Sequence, residues 1–311
     1  MDLLCTHATA AAAMRQPDRD VVSPLRMKTK RLVRDISHHW DVARNHWRFG
    51  GFRQVYRYCR GKLEARLGDF HFSRTHSNAR YCPCCEWQGR RFRPYFAGGY
   101  TTLDALCPQC NSHARHRGQM LYYRDHLRLL ERKGRLLYFA PESGILPHLR
   151  AAGGLQVETT DYGKISGADH RYDIMNMAVP SGTFDFLICH RVIEHVPDDR
   201  RAMRELYRIL KPGGLAIISV PISRQRSQTL EFGRPNPLCD DHYYDYGSDV
   251  CGRIPAEFRV TELLFSGLFD HATFKHLALQ EDSIFECRKP EELPANEQTT
   301  LPEERKVSLE L

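Results

Sequence analysis

The 311-residue chain has no apolar run approaching the roughly 20 residues that a membrane-spanning helix requires, and its mean hydropathy is −0.52. It therefore offers no helical span. An export signal is missing too: the stretch "ATAAAAM" near the N-terminus is short and has no basic segment ahead of it. Without export, 11 cysteines point to a reducing cytoplasm and to thiolate ligands rather than a disulfide framework. An acidic surplus is also absent. The net charge is +7, and residues 1–80 carry it, with 16 Lys and Arg against seven Asp and Glu. The remainder is close to neutral. A basic arm suits nucleic acid or an anionic membrane surface, and equally a solvated extension.

Glycine is scarce where an α/β protein would use it. "LLYFAPESG", Leu136 to Gly144, is an apolar run entering a turn before a helix, the usual place for a nucleotide. Such turns carry several glycines so that the backbone can approach the ligand. Here there are Ala140, Pro141, Glu142 and Ser143, and then a single Gly144.

Composition divides the chain into five stretches. Residues 1–30 and 291–311 lack pattern and are expected to be disordered. Residues 31–79 read as a basic helical segment, in which Val55, Leu63 and Leu67 form a stripe expected to dock on the body of the protein. Residues 80–117 form a cysteine module. From 118 to 290 strands and helices alternate: "RLLYFA", "LQVETTD", "FDFLICHRV" and "LAIISVPI" as strands, "GILPHLRAAG" and "DDRRAMRELYRIL" as helices. The second helix has Asp198 or Asp199 as its N-cap and is stopped by "KPGG". "EFRVTELLFSGLF" reads as a further helix, and "HATFKHLAL" with "SIFECRK" as a closing hairpin at one edge. Such alternation builds a mostly parallel α/β sheet with helices on both faces.

The cysteine spacing is Cys82-x2-Cys85, 21 residues, then Cys107-x2-Cys110. Each knuckle gives two thiolates to a tetrahedral zinc, and four thiolates make a closed, structural site. Cys84 competes with Cys82 and Cys85, and His113 with Cys110. The intervening "WQGRRFRPYFAGGYTTL" suits a small β ribbon. Ribbons of this kind grip nucleic acid or clip a segment onto a neighbouring domain. In the "SHARHRGQ" that follows, Arg115, His116 and Arg117 face phosphate, a cofactor or a carboxylate of the main domain.

"CPQCNSHARHR", "LLYFAPESG", "FDFLICHRVIEHVPDDRRAMRELYRILKPGG" and "DDHYYDYG" resemble S-adenosylmethionine-dependent methyltransferases of the class I fold. The nearest subgroup carries an N-terminal zinc ribbon and an "APE"-type first loop. The resemblance covers residues 80–288 and implies a Rossmann-like sheet, mostly parallel, with an antiparallel last strand. It also implies that the loop is a variant cofactor site. S-adenosylmethionine has no phosphates, so a multi-amide anion cradle is not needed. Ala140, Pro141 and Gly144 would admit the ligand, with Glu142 either accepting from its ammonium group or capping the helix. Tyr138 stands where the broader family has an acidic residue. Asp161, ending the second strand, would hold the ribose hydroxyls. Asp173 and Ile174 would meet the adenine, and Cys189 and His190 would line the methionine part.

Methyl transfer is an in-line displacement, and alignment supplies most of its acceleration. A hydroxyl acceptor also needs a base near neutral pH. His242, in an aromatic-rich irregular stretch, and His195, in "IEHV", are the candidates. The expected acceptor is a hydroxyl of a small molecule or saccharide. An RNA acceptor gripped by ribbon and basic arm is the alternative. Against it, no Asn- or Asp-Pro-Pro-aromatic motif of base amino-group methylation follows the fourth strand, where the chain reads "CHRV". The poor glycine loop suggests a third reading, a non-catalytic binding protein.

Overall fold

The computed structural model describes residues 43–48, 51–63, 79–96, 100–163 and 167–291. The expected disorder of residues 1–30 and of the tail beyond Glu291 lies outside them, as does Leu67.

Six strands make the central sheet. β5 (Gly134–Phe139), β6 (Leu155–Thr160), β7 (Phe184–His190) and β8 (Leu210–Ser219) are parallel and lie in the order β6-β5-β7-β8. Beyond β8 come β12 (Ser283–Arg288), antiparallel to both its neighbours, and β11 (Arg259–Leu264) at the edge. This is the expected Rossmann-like sheet. β5 and β7 are central and covered on both faces, which explains their nearly continuous apolar sequence. Alternate side chains serve different layers. Leu137, Phe139 and Leu187 join the core under α3 (Asp199–Ile209), while Leu136, Tyr138 and Ile188 join the core on the opposite face.

Two element assignments are corrected. "RVTELL" is the edge strand β11, because its β-branched residues pair with β12 from Arg259 opposite Arg288 to Leu264 opposite Ser283. "HATFKHL" is helical, α5 (His271–Leu277), started by Asp270, which accepts from the Thr273 amide at 2.7 Å. Consequently the antiparallel strand β12 lies one place in from the edge. Helices α1 (Ala114–Leu121), α2 (Leu146–Ala151) and the short α4 (Phe265–Leu268) complete the domain. α1 packs so closely on Phe265 that a Cβ at Gly118 would lie 2.2 Å from its ring.

The module at 80–110 is two hairpins, β1 (Arg80–Tyr81) with β2 (Gln88–Gly89) and β3 (Arg93–Phe96) with β4 (Thr101–Leu106). The helical residues 43–48 and 51–63 pack on the second hairpin, not by the expected stripe. Tyr58 is buried against Phe96, with ring centroids 5.7 Å apart, and His46 Nε2 meets Thr101 Oγ1 at 2.9 Å. Leu63 is 58% exposed. Tyr58 and the buried Gly61 lie one turn apart on a face of the helix that Leu63 does not share.

Arg117 ties the module to the domain. Fully buried, it donates to the carbonyls of Ala105, Ser112, Leu277 and Ala278 at 2.7–3.3 Å and lies 3.8 Å from the centre of the Phe92 ring. Burial pushes its pKa down to about 10. Replacing it with Met fills the volume but leaves these carbonyls unpaired, at about 1–3 kcal/mol per buried group. Arg117→Met is expected to lower the thermal midpoint by well over 5 °C. A shift below 2 °C in a calorimetric scan would refute this role.

Candidate functional site

The four thiol groups expected to act together do so. The Sγ atoms of Cys82, Cys85, Cys107 and Cys110 all lie within 4.8 Å of one another. Both knuckles fold alike: the amides of Glu86 and Asn111 return to the carbonyls of Cys82 and Cys107, and both residues are left-handed, with φ of 60° and 58°. The donor set fits a closed tetrahedral zinc. Neither competitor joins it. Cys84 directs its thiol to the His116 carbonyl at 3.6 Å, and His113 stacks edge-on to Tyr95 at 4.7 Å.

This cysteine module lies directly on the loop after β5. A Cβ on Gly144 would meet Cys84 Cβ at 3.4 Å, Ser112 Cβ at 3.5 Å and Cys110 Sγ at 3.8 Å. Nearby, His148 Nε2 meets the Cys84 carbonyl at 2.8 Å. Those are ordinary van der Waals distances, so Gly144 marks where loop and knuckles touch rather than a position that only glycine can fill. Within the loop Ala140 takes a left-handed φ of 43°, a conformation that would cost glycine nothing. Its amide is tied to the Thr160 carbonyl at 2.9 Å.

Glu142 does not cap α2 with its side chain. Tyr138 Oη donates to its carboxyl group, and His116 Nε2 is 3.6 Å away. Only about a tenth of the side-chain surface is exposed. Burial pushes its pKa up to about 7, against the opposing pull of Arg115 and Arg191. Tyr138, which replaces the expected acidic residue, thus holds an acidic residue four positions on.

The remaining expected cofactor residues stand at the carboxyl ends of β5, β6 and β7, the side on which open α/β sheets bind ligands. Asp161 follows β6, and its carboxylate accepts from the Gly163 amide at 2.9 Å. Residues 170–172 run alongside, with Tyr172 N donating to Thr160 Oγ1 at 3.0 Å, and bring Asp173 to the same end of the sheet. Asp173 itself closes a turn onto the Met175 amide at 2.9 Å. Ile174 is buried in the core with Leu137 and Phe139. Cys189 and His190 are buried as well, leaving only their backbone to face a ligand. His190 is held between Tyr123 Oη and Ser219 Oγ, and burial lowers its pKa to about 3.

A cavity of about 540 Å³ opens between the ribbon and the ends of β7 and β8. Tyr95 and Tyr100 line it from the ribbon side, and Arg191, Glu194, His195 and His242 from the sheet side. The rings of His195 and His242 are 4.6 Å apart and nearly perpendicular. Burial lowers the pKa of His242, although Asp240 opposes the shift. Glu194 is buried, and burial pushes its pKa up to about 7. Its Oε2, like Arg115 Nε and His116 Nε2, has no hydrogen-bond partner among the described residues. Such orphaned cationic and anionic groups are what an amino-acid head group would satisfy. The segment carrying His242 is anchored from below. Asp198 is the N-cap of α3, which leaves Asp199 to bind Arg253 at 2.5 and 2.9 Å and to accept from Tyr246 Oη at 3.1 Å.

Parts of the chain are similar to known proteins. Residues 114–246 match a family model described as a methyltransferase domain. Two probable S-adenosylmethionine-dependent methyltransferases of Mycobacterium tuberculosis, from strains CDC 1551 and H37Rv, are each 26% identical over 97 residues. That aligned stretch is 31% of this chain and about a third, 34%, of the length of those relatives. Similar solved structures include phosphoethanolamine N-methyltransferase 2 of Haemonchus contortus with S-adenosylmethionine, at 16% identity and a TM-score of 0.41, covering 57% of this chain and 53% of that one. The [4+2]-cyclase SpnF has a TM-score of 0.39 at 18% identity, covering 58% of this chain and 81% of that one. Residues 114–246 are thus similar to a methyltransferase domain.

Sequence reasoning passed over Glu194 and Arg191. In "HRVIEH" Arg191 follows His190 and Glu194 precedes His195, and an ionisable residue just past an apolar strand was the available signal. Glu142 yields a pH test. Its carboxyl group is protonated in the folded state up to about pH 7, and in the unfolded chain only to about 4.5. The stability it contributes is present below pH 4.5 and is lost as pH rises to 7. Glu142→Gln should therefore be the more stable protein at pH 8, by on the order of 1–3 kcal/mol, with no gain at pH 4. Denaturant melts at both pH values check this, and an equal effect at the two would exclude it.

Proposed function

We propose that the protein is an S-adenosylmethionine-dependent methyltransferase acting on a hydroxyl group of a small molecule or saccharide, and that its four thiolates hold one structural zinc. The observation that carries the reading is the cavity beside the carboxyl ends of β7 and β8, with His195 and His242 in its wall. The bound cofactor would supply an electrophilic methyl group on a sulfonium. Asp161 is suited to the ribose hydroxyls and Asp173 to the adenine amino group. The loop from Ala140 to Gly144, with the backbone of Cys189 and His190, is suited to the methionine end. Held neutral near pH 7 by burial, His242 is available to accept the acceptor's hydroxyl proton at a ring nitrogen. Tyr95 and Tyr100 offer ring faces that suit a sugar or an aromatic acceptor.

The charge of the wall speaks against a polyanion such as RNA. Glu194, Asp240, Glu281 and Asp282 line the cavity against Arg115 and Arg191. The basic character lies instead in residues 1–80, most of which are outside the described structure.

Calorimetric titration of zinc-loaded protein with S-adenosylmethionine tests the reading. Micromolar binding is expected, weakened about 10- to 100-fold in Asp161→Ala through loss of charge-assisted hydrogen bonds. A folded protein that does not bind would instead favour a non-catalytic binding protein. Elemental analysis should find the ribbon's zinc at one per chain in a Glu194→Gln, His242→Ala background; none there would rule out the closed thiolate site.

A further inference from the structure

We infer that Glu194, His195 and His242 form a second metal site, for a divalent transition-metal cation, in the wall of the cavity. One ligand atom from each residue lies within 4.8 Å of the other two. With bonds of about 2.0–2.2 Å, ligand atoms on one cation lie within roughly 4.4 Å of each other. A small adjustment of the three side chains brings their ligand atoms inside that limit.

Three further observations support the assignment. Glu194 is buried, and its Oε2 has no partner among the described residues, so a carboxylate oxygen stands ready without a hydrogen-bond donor. The wall carries four carboxylates against two guanidinium groups, and the guanidinium of Arg191 is already taken by both oxygens of Asp282 at 2.8 Å. The local charge thus favours a cation. Finally, the segment bearing His242 is tied down by Tyr244, whose hydroxyl donates to the Pro197 carbonyl at 2.7 Å, and by Tyr246, whose hydroxyl donates to Asp199 at 3.1 Å, while Glu194 and His195 belong to the single turn Ile193–His195 after β7. The three ligands therefore sit on two anchored pieces of chain.

Two imidazoles and one carboxylate favour a first-row transition metal over calcium or magnesium. Three protein ligands leave a coordination position open toward the cavity, the arrangement of sites that bind a substrate oxygen. The ribbon is the opposite case, closed by four thiolates. This assignment shares its cavity with the methyltransferase reading but does not depend on it; with a cation bound, His242 is a ligand in place of the base proposed above.

The test uses full-length protein with the ribbon already filled with zinc, titrated with Co²⁺ and followed by calorimetry and visible absorption. One equivalent is expected to bind, giving the weak bands of nitrogen and oxygen ligation without thiolate charge transfer. Glu194→Gln and His242→Ala should each weaken it by more than the roughly 10- to 100-fold that loss of a mere outer-shell partner costs. Zinc content and a thermal melt confirm that each variant is folded. No binding beyond the ribbon, or equal binding by both folded variants, would overturn the assignment. Cofactor affinity, measured separately without Co²⁺, reports on the methyltransferase reading itself, so the two can fail independently.

Discussion

The contact between the cysteine ribbon and the loop after β5 is the constraint on which the rest of the site depends. At Gly144 the loop comes within van der Waals reach of Cys84, Ser112 and Cys110. Arg117 closes the same contact from below by joining carbonyls of the ribbon, of Ser112 and of the segment after α5. A loop with few glycines would otherwise have to hold Ala140 at a positive φ unaided. Here the ribbon, the Thr160 carbonyl and the Tyr138–Glu142 contact fix it from three sides.

That packing also gathers charge at the carboxyl end of the sheet. Glu142, Glu194, Arg115 and Arg191 are drawn into surroundings where each is short of water, and the two carboxyl groups shift upward for that reason. Buried ionisable groups without full complements of partners are costly in a protein that only has to fold. The concentration of Glu194, Arg115 and Arg191 around one cavity, with Glu142 beside it, is more economically explained by ligands that complete them, with perturbed groups marking the functional end of the sheet.

Much of this was legible in the sequence. The spacing of Cys82, Cys85, Cys107 and Cys110 is local chemistry, and the structure assembles those four sulfurs. The buried strands announced themselves through continuous apolar runs, and α3 through the stripe of Met203 and Leu206. Beyond β8 the reading failed, because "RVTELL" and "HATFKHL" are short, half-exposed segments whose periodicity does not separate strand from helix. Pairing with β12 decides the first and the Asp270 cap the second. Ile174, expected beside the adenine, is packed with Leu137 and Phe139, a placement that depends on how residues 170–173 fold back on β6. Glu194 escaped notice for the same reason: only the tertiary arrangement brings it to His242, 48 positions away.

The central claim is that the ribbon holds the loop after β5 in the conformation proposed to bind the cofactor. Hydrogen exchange over residues 138–146, compared between zinc-loaded and zinc-stripped protein and each with and without S-adenosylhomocysteine, tests it most directly. The account predicts slow exchange in the zinc-loaded protein, slower still with ligand, and a loss of both effects once zinc is removed while β7 and β8 stay protected. Unchanged exchange in this loop after zinc removal, with ligand protection retained, would contradict it.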